Sequence, residues 1–259
     1  WSKLIMMKRQ KAILLGLFCF SLASCSSNRT TEPTVSVSSM AASRTTTTHF
    51  AAAKTSTSSK ENNAFGNSNS SFDATAFSKG VKAYNGSNYT AAAKWFRQAA
   101  DQGNAKAQFL FGMMHVNGKG VAQNHQEAAK WYQKAAEQGN TQAQFGLGQL
   151  YSKGEGVAQN DREAVKWYQT AAQQGYAQAQ YSLGQMCASG QGVPQNDQQA
   201  VKWYKKAAKQ GYAQAQYDLG VMYAKGRGVT KNDETAVKWY QKAADQGLTQ
   251  ARATLEKDV

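Results

Sequence analysis

The first part of residues 177–212 spaces its apolar side chains as one side of an α-helix does. They stand at i, i+4, i+7 and i+8 and are Ala179, Leu183, Met186 and Cys187. Gly190 follows them, and a glycine in this place ends a helix in the left-handed conformation. The pattern therefore predicts a first helix that ends at Gly190, after which Gly192 lets the loop turn again.

The second part of the same segment predicts another helix. Asn196 is suited to the N-cap, and Gln199 three residues later completes the pattern of a capping box. The same pattern recurs with glutamate at Asn124/Glu127 and Asn160/Glu163. The apolar face of this second helix is made of Ala200, Trp203, Tyr204, Ala207 and Ala208. Gly211 ends it, so a helix, a glycine loop, a helix and a glycine turn form one unit.

This unit recurs along most of the chain with a period of 36 residues, marked by Trp95, Trp131, Trp167, Trp203 and Trp239. A fixed period of this length is typical of a solenoid, in which each unit contacts only its neighbours. Each tryptophan precedes a recurring Ala-Ala pair. We therefore predict that the tryptophans pack between adjacent helix pairs, where each can bury about 150–250 Å², rather than form a sugar-binding ladder.

The repeated phrases are A-x-A-Q-(F/Y)-x-x-G-x-(M/L), G-x-G-V, N-(D/H)-x-x-A-(A/V)-K-W-Y and A-A-x-Q-G. They resemble Sel1-like repeats, which are relatives of tetratricopeptide repeats with a longer loop inside the unit. The resemblance implies an all-α fold, a right-handed α-solenoid of helix-turn-helix repeats. Four full copies are 105–140, 141–176, 177–212 and 213–248. Residues 72–104 resemble the shorter tetratricopeptide form, and 249–259 keep only the start of a first helix, so both are predicted to be caps.

Residues 1–24 have the pattern of a signal peptide. Basic side chains between Lys8 and Lys11 precede an apolar run from Ala12 to Phe20, which is too short to span a membrane. We expect translation to start at Met6 or Met7, because the residues before them add nothing to the leader.

The leader ends in Leu22-Ala-Ser-Cys25, which resembles the lipobox of bacterial lipoproteins. The resemblance implies that Cys25 is lipidated and becomes the mature N-terminus. Because Ser26 rather than aspartate follows, placement in the outer membrane, facing the periplasm, is expected by analogy. Residues 25–71 are rich in Ser, Thr and Asn and carry too little apolar content to fold, so they are predicted to be a disordered tether.

The charge of the chain is strongly basic, with a formal net charge of +14 from 30 basic and 16 acidic side chains. Removal of the leader takes away Lys3, Lys8, Arg9 and Lys11 and leaves +10. This balance suits anionic partners such as lipid headgroups, lipopolysaccharide or an acidic protein face, or it describes a solvated basic surface. We predict no nucleic-acid partner.

Few residues could carry chemistry. His115 and His125 lack a third ligand for a metal, and His49 lies in the tether. Cys187 cannot form a disulfide within the repeats and is interpreted as a buried small hydrophobic residue. The recurring G-x-G-V lacks the lysine of a phosphate loop, and hydrolase motifs such as G-x-S-x-G are absent. We therefore predict no catalytic, cofactor or metal site and no enzyme activity.

Several members of the resembled family staple the two helices of a repeat with paired cysteines. The corresponding positions here include Ala136 and Ala143. These alanines argue against a resemblance to the cysteine-rich, penicillin-binding branch of the family.

Positions that differ between otherwise matched repeats are candidates for recognition. In tetratricopeptide-type solenoids the first helices line the concave groove, and twelve of their positions diverge here: Lys106, Gln142, Gln178, Gln214, Met113, Gln149, Gln185, Val221, Val116, Ser152, Ala188 and Ala224. Glutamine and small residues favour binding of an extended segment or a helix. Neutral drift explains the same variation.

Two functions follow from the family resemblance. The first is a non-enzymatic adaptor, a lipid-anchored protein of the bacterial envelope that binds one or more envelope proteins in the groove. The second is a periplasmic immunity protein that binds and inhibits a phospholipase effector, as some Sel1-like lipoproteins do. A hydrolase acting on cell-wall or β-lactam substrates is disfavoured, because no nucleophile motif is present.

Overall fold

A computed structural model describes residues 69–257 of the chain, with side chains from 75 to 256. The predicted leader, Cys25 and all but the last residues of the predicted tether lie outside this range. The described residues form eleven α-helices and no strand: α1 (Asn69–Asn85), α2 (Tyr89–Asp101), α3 (Ala105–Asn117), α4 (His125–Glu137), α5 (Thr141–Lys153), α6 (Asp161–Gln173), α7 (Ala177–Ser189), α8 (Asp197–Lys209), α9 (Ala213–Lys225), α10 (Asp233–Asp245) and α11 (Thr249–Lys257). Helix α1 begins three residues before position 72, where the N-terminal unit is predicted to start.

The helices pack in the order of the chain. Each first helix (α3, α5, α7, α9) packs against the second helix of its own repeat (α4, α6, α8, α10), and each second helix also packs against the next first helix. This arrangement is a stack of helix pairs in which contacts are made between neighbours, and the predicted all-α solenoid is confirmed.

The helix ends follow the asparagines and glycines of the sequence. Gly190 has φ +77° and caps α7 with its N–H donating to the Met186 carbonyl, while the Asn196 side chain accepts from the Gln199 N–H at the start of α8. This bond confirms one half of the predicted capping box, but the other half, from the Asn196 N–H to the Gln199 side chain, is wrong. The Asn196 N–H donates to the carbonyl of Cys187 in the first helix at 2.7 Å, because the glycine loop folds back onto that helix.

The core of each repeat is a tyrosine that lies on a glycine. Tyr168 of α6 is 5% exposed, and a methyl group on Gly148 of α5 would lie 2.7 Å from its ring. The second glycine of α5, Gly146, meets Tyr132 of the preceding repeat in the same way, at 2.8 Å. The glycines of the first helices therefore leave the space that the aromatic rings occupy.

The tryptophans lie at the edge of this core. Trp203 and Trp239 pack against buried residues but remain half-exposed. Lysine ammonium groups cover their rings, with Nζ 4.1 Å from the Trp203 ring centroid for Lys206 and 4.4 Å from the Trp239 centroid for Lys242. The predicted packing between helix pairs is therefore partial, and the neighbouring tyrosine takes the central place.

Buried glutamines link consecutive repeats. Gln144 of α5 is 3% exposed, and its Nε2 donates to the carbonyl of Ala136 at the end of α4 at 3.1 Å. Its Oε1 accepts from Nε2 of Gln174, the residue that caps α6, at 2.8 Å. The same pair of bonds recurs at Gln108, Gln180 and Gln216. Each glutamine thus joins the end of one second helix to the end of the next, without leaving a buried amide unpaired.

The glycine loops form the other link between repeats. Gly156, in the loop after α5, has φ +72° and lies directly on the backbone of His125 at the start of α4. The side chain that precedes such a loop glycine can pair with the residue whose backbone the glycine contacts. Arg227 makes an ion pair with Asp197 at 2.7 Å, and Glu155 lies 3.4 Å from Nδ1 of His125. Each loop therefore fixes the position of the repeat before it.

Candidate partner-binding surface

The twelve predicted groove residues all lie on the four first helices. Lys106, Gln149 and Gln185 are exposed, and the other nine are half-buried. Scaffold positions of the same helices, such as Ala143 and Gln144, are buried instead. The divergent positions are thus accessible to a partner, and their role in binding stays a prediction.

The structure brings three of these residues together around one depression. Ser152, Gln185 and Ala188 line an open cavity of about 500 Å³ between the repeats of α5 and α7. Its other lining residues were not predicted as groove residues from the sequence: Tyr168, Ser182, Met186, Ser189, Gln191, Tyr204 and Arg227. Hydroxyl, amide and guanidinium groups thus surround the edges of the buried tyrosines and one methionine. Such a site offers several hydrogen bonds beside a small apolar area.

A polar network joins this depression to the next repeat. Gln185 Nε2 donates to the Tyr181 hydroxyl at 2.9 Å, and that hydroxyl donates to Asp218 Oδ2 at 2.8 Å. Gln214 also hydrogen-bonds to Asp218. The corresponding residues of the other repeats, Leu110, Gly146 and Ser182, carry no charge. Only one of the four repeats has an acidic residue at this position, and this difference was the signal in the sequence for the network.

Burial sets the electrostatics of the surface. Desolvation raises the pKa of Asp218, although the hydrogen bonds from Tyr181 and Gln214 oppose the shift. Desolvation likewise raises the pKa of Tyr168 to about 12, so its hydroxyl stays protonated at neutral pH. The surface therefore holds a carboxylate whose charge is poorly solvated and hydroxyl groups that remain donors.

We expect Asp218→Asn to raise the melting temperature at pH 7. A carboxyl whose pKa rises on folding contributes stability below its unfolded pKa of about 3.9 and loses it as the pH rises through the folded value. Asparagine keeps an acceptor for the Tyr181 hydroxyl and removes the charge. The gain should therefore shrink as the pH falls from 7 towards 4, which thermal melts across this range would measure. A loss that is largest at pH 7 and shrinks as the pH falls would instead identify the charged form as a stabilising partner.

The other candidate chemical groups stay apart. Among residues 69–257, no three His, Cys, Asp or Glu side chains gather where they could hold a metal ion. His115 Nδ1 contacts the carbonyl of Ala122, in the loop that follows its own helix, at 3.3 Å. Cys187 is 8% exposed, and burial raises the pKa of its thiol, in keeping with its interpretation as a small hydrophobic residue.

None of the described helices is long and apolar enough to cross a membrane.

These helix pairs, with their recurring glutamine and glycine links, define a helical-repeat protein. Comparison with protein families finds the Sel1 repeat at residues 77–104, 105–140, 141–176, 177–212 and 213–248. The chain belongs to the Sel1 repeat family, and the resemblance predicted from the repeated phrases is confirmed. No curated protein matches the chain.

Two solved structures are similar in both sequence and fold. One is c5321, a protective antigen present in uropathogenic Escherichia coli strains and displaying an SLR fold. It is 38% identical with a TM-score of 0.68, over 69% of this chain and 39% of that one. The other is a Sel1 repeat protein from Oxalobacter formigenes, 38% identical with a TM-score of 0.64, over 68% of this chain and 70% of that one. This chain therefore spans well under half the length of c5321.

A more distant neighbour is the immunity protein Pa5087 from Pseudomonas aeruginosa. It is 23% identical with a TM-score of 0.42, over 63% of this chain and 60% of that one. A likeness at this distance supports no functional inference, and the immunity role stays a prediction.

Proposed function

We propose that this chain is a non-enzymatic adaptor that binds a segment of a protein partner along its first helices. The depression between the repeats of α5 and α7 is the observation that carries the proposal. Its rim presents the exposed polar side chains of Gln185, Ser189 and Gln191. The recurring buried glutamines of the same helices instead form hydrogen bonds that link the repeats. The divergent positions are thus free to vary for recognition without loss of the fold.

The chemistry of the depression favours a polar, extended segment or the polar face of a helix. Gln185 and Ser152 offer side-chain amide and hydroxyl groups, and Met186 and the tyrosine edges offer a small apolar contact. A segment with alternating polar and apolar side chains would satisfy both. The surface needs no catalytic group for this task.

Photo-crosslinking in the native bacterium tests the proposal. A benzophenone amino acid at Gln149 or Gln185 should give a discrete adduct with one protein, whereas the same amino acid at Gln126 or Gln169, on the second helices, should not. All four side chains are exposed, so accessibility is matched. Adducts only from the second-helix positions would refute binding along the first helices.

Charge substitution gives a quantitative form of the same test. The double variant Gln149→Glu and Gln185→Glu should lower partner crosslinking from Ser189 about tenfold, because each added charge must be desolvated on binding. Gln126→Glu with Gln169→Glu makes the same chemical change elsewhere and should leave the yield unchanged. The melts of both variants should stay within about 0.5 kcal/mol of the parent, as is usual for exposed substitutions.

The same proposal includes a lipid anchor at Cys25, with the repeats in the periplasm on an outer-membrane tether. The basic residues, the apolar run and the Leu22-Ala-Ser-Cys25 sequence support this placement. Cys25→Ser should abolish incorporation of a fatty-acid probe and leave the leader uncleaved. The matched control is Cys19→Ala, within the apolar run, which should incorporate the fatty-acid probe as the parent does. Equal labelling of the Cys25 variant would refute the anchor.

A further inference from the structure

Helix α8 carries a stripe of lysines on its exposed side. Lys202, Lys205, Lys206 and Lys209 stand at i, i+3, i+4 and i+7, and all four are exposed. At a rise of 1.5 Å per residue, the stripe extends about 10 Å along the helix. Within the described part of the chain, none of these lysines has a carboxylate partner.

The other second helices interrupt the same stripe with neutral or acidic residues. Where α8 has Gln199, Lys205 and Lys209, α4 has Glu127, Gln133 and Glu137. In α4, Glu127 pairs with Lys130 at 2.6 Å and Glu137 accepts a hydrogen bond from Gln133. Helix α6 has Glu163, Gln169 and Gln173, and α10 has Thr235, Gln241 and Asp245. The repeat therefore tolerates compensated charge at these positions, and α8 alone among the four leaves every one of its lysines without a carboxylate partner.

An apolar surface lies within the stripe. Trp203 is half-exposed, and Lys206 Nζ lies 4.1 Å from its ring centroid. The tryptophan and the four lysines border a shallow depression of about 280 Å³. Charge and an aromatic contact are thus combined on one helix, on a different element from the first-helix surface proposed above.

We propose that α8 is a second binding surface, which takes an acidic helical segment of a protein partner. Carboxylates repeated at i, i+3, i+4 and i+7 on such a segment would face the lysines one to one, and an apolar residue between them would contact Trp203. A membrane surface fits less well. A flat anionic surface would also meet the neighbouring helices, where Glu163 of α6 and Glu234 of α10 already neutralise a lysine each and Asp245 adds a negative charge.

The loss-of-binding variant uses residues that the repeat already accepts. Gln199→Glu, Lys205→Gln and Lys209→Glu together give α8 the residues that α4 carries at these positions, so the fold should be kept. A fluorescein-labelled peptide with glutamates at helical spacing around one leucine is the probe. Fluorescence anisotropy should show at least about tenfold weaker binding to the triple variant, and added salt should weaken binding to the parent. Unchanged affinity of a folded variant would overturn the proposal.

A gain-of-binding variant serves as the matched control. Helix α4 already has Lys130, Trp131 and Lys134, so Glu127→Gln, Gln133→Lys and Glu137→Lys should complete a second stripe there. The full chain should then bind about two peptides instead of one. A stoichiometry that stays at one would show that the stripe does not suffice for binding and would refute the proposal.

Two further probes separate the alternative ligands. Vesicles of phosphatidylcholine with phosphatidylglycerol should bind the triple variant of the lipid-free chain only slightly less than the parent, because its net charge is lower by four, and millimolar inorganic phosphate should not displace the peptide. Vesicle binding that is lost in the triple variant would make the stripe a membrane contact. Displacement by phosphate would make it a general anion site, and either result would overturn the assignment to an acidic protein segment.

Discussion

Gly156→Ala should lower the free energy of unfolding by about 2–5 kcal/mol. Its new methyl group would overlap the backbone of His125 at the start of α4, and a backbone cannot move away as a flexible side chain can. Overpacking of this kind costs typically about 1–3 kcal/mol. The left-handed φ of +72° adds about 1–2 kcal/mol for any residue with a Cβ atom. Urea unfolding followed by circular dichroism would measure the sum.

A second glycine separates the cost of the steric overlap from the cost of the left-handed backbone conformation. Gly139, in the turn after α4, has φ +84°, and a methyl group there would meet no atom within 4 Å. Gly139→Ala should therefore cost only the conformational term, about 1–2 kcal/mol. Equal losses at Gly139 and Gly156 would contradict the contact between the loop of one repeat and the start of the second helix of the repeat before it.

The helices could be predicted from the sequence because their signals are local. The apolar spacing from Ala179 to Cys187 defines one face of α7, and Gly190 and Asn196 act on backbone groups only a few residues away. Such interactions depend little on what the neighbouring repeat contributes. The period then extended the prediction for one unit to the whole array.

The links between repeats could not be predicted in this way. Gln144 is polar, so its burial follows only from two partners that lie eight residues before it and thirty residues after it. Its recurrence in A-x-A-Q, together with that of the glutamine in A-A-x-Q-G, was the available signal. One half of the capping box failed for a related reason, since the Asn196 N–H is taken by a carbonyl of the preceding helix. Both features depend on how helices meet in space.

The candidate surface was predictable in its positions but not in its chemistry. Divergence between repeats pointed to accessible residues such as Gln149 and Gln185. The depression, however, also takes Arg227 from a glycine loop, and the hydroxyl that Gln185 contacts belongs to Tyr181, which pairs with an acid 37 residues later. Neighbouring repeats must be packed before these groups can be seen to converge.

Tyr168→Ala should destabilise the chain more than Trp167→Ala, although tryptophan is the larger and more conspicuous residue. Tyr168 is 5% exposed, and its ring packs directly on Gly148. Its removal leaves a cavity and should lower the free energy of unfolding by about 3–5 kcal/mol. Trp167 is half-exposed, and its loss should cost roughly half as much because less apolar area returns to water. Tyr168→Phe keeps the ring and loses only the hydrogen bond to Ser152, which should cost about 0.5–1.5 kcal/mol. Urea melts of the three variants give the order directly. A larger loss for Trp167→Ala than for Tyr168→Ala would show that tryptophan, and not the tyrosine on its glycine, is the central residue of the repeat core.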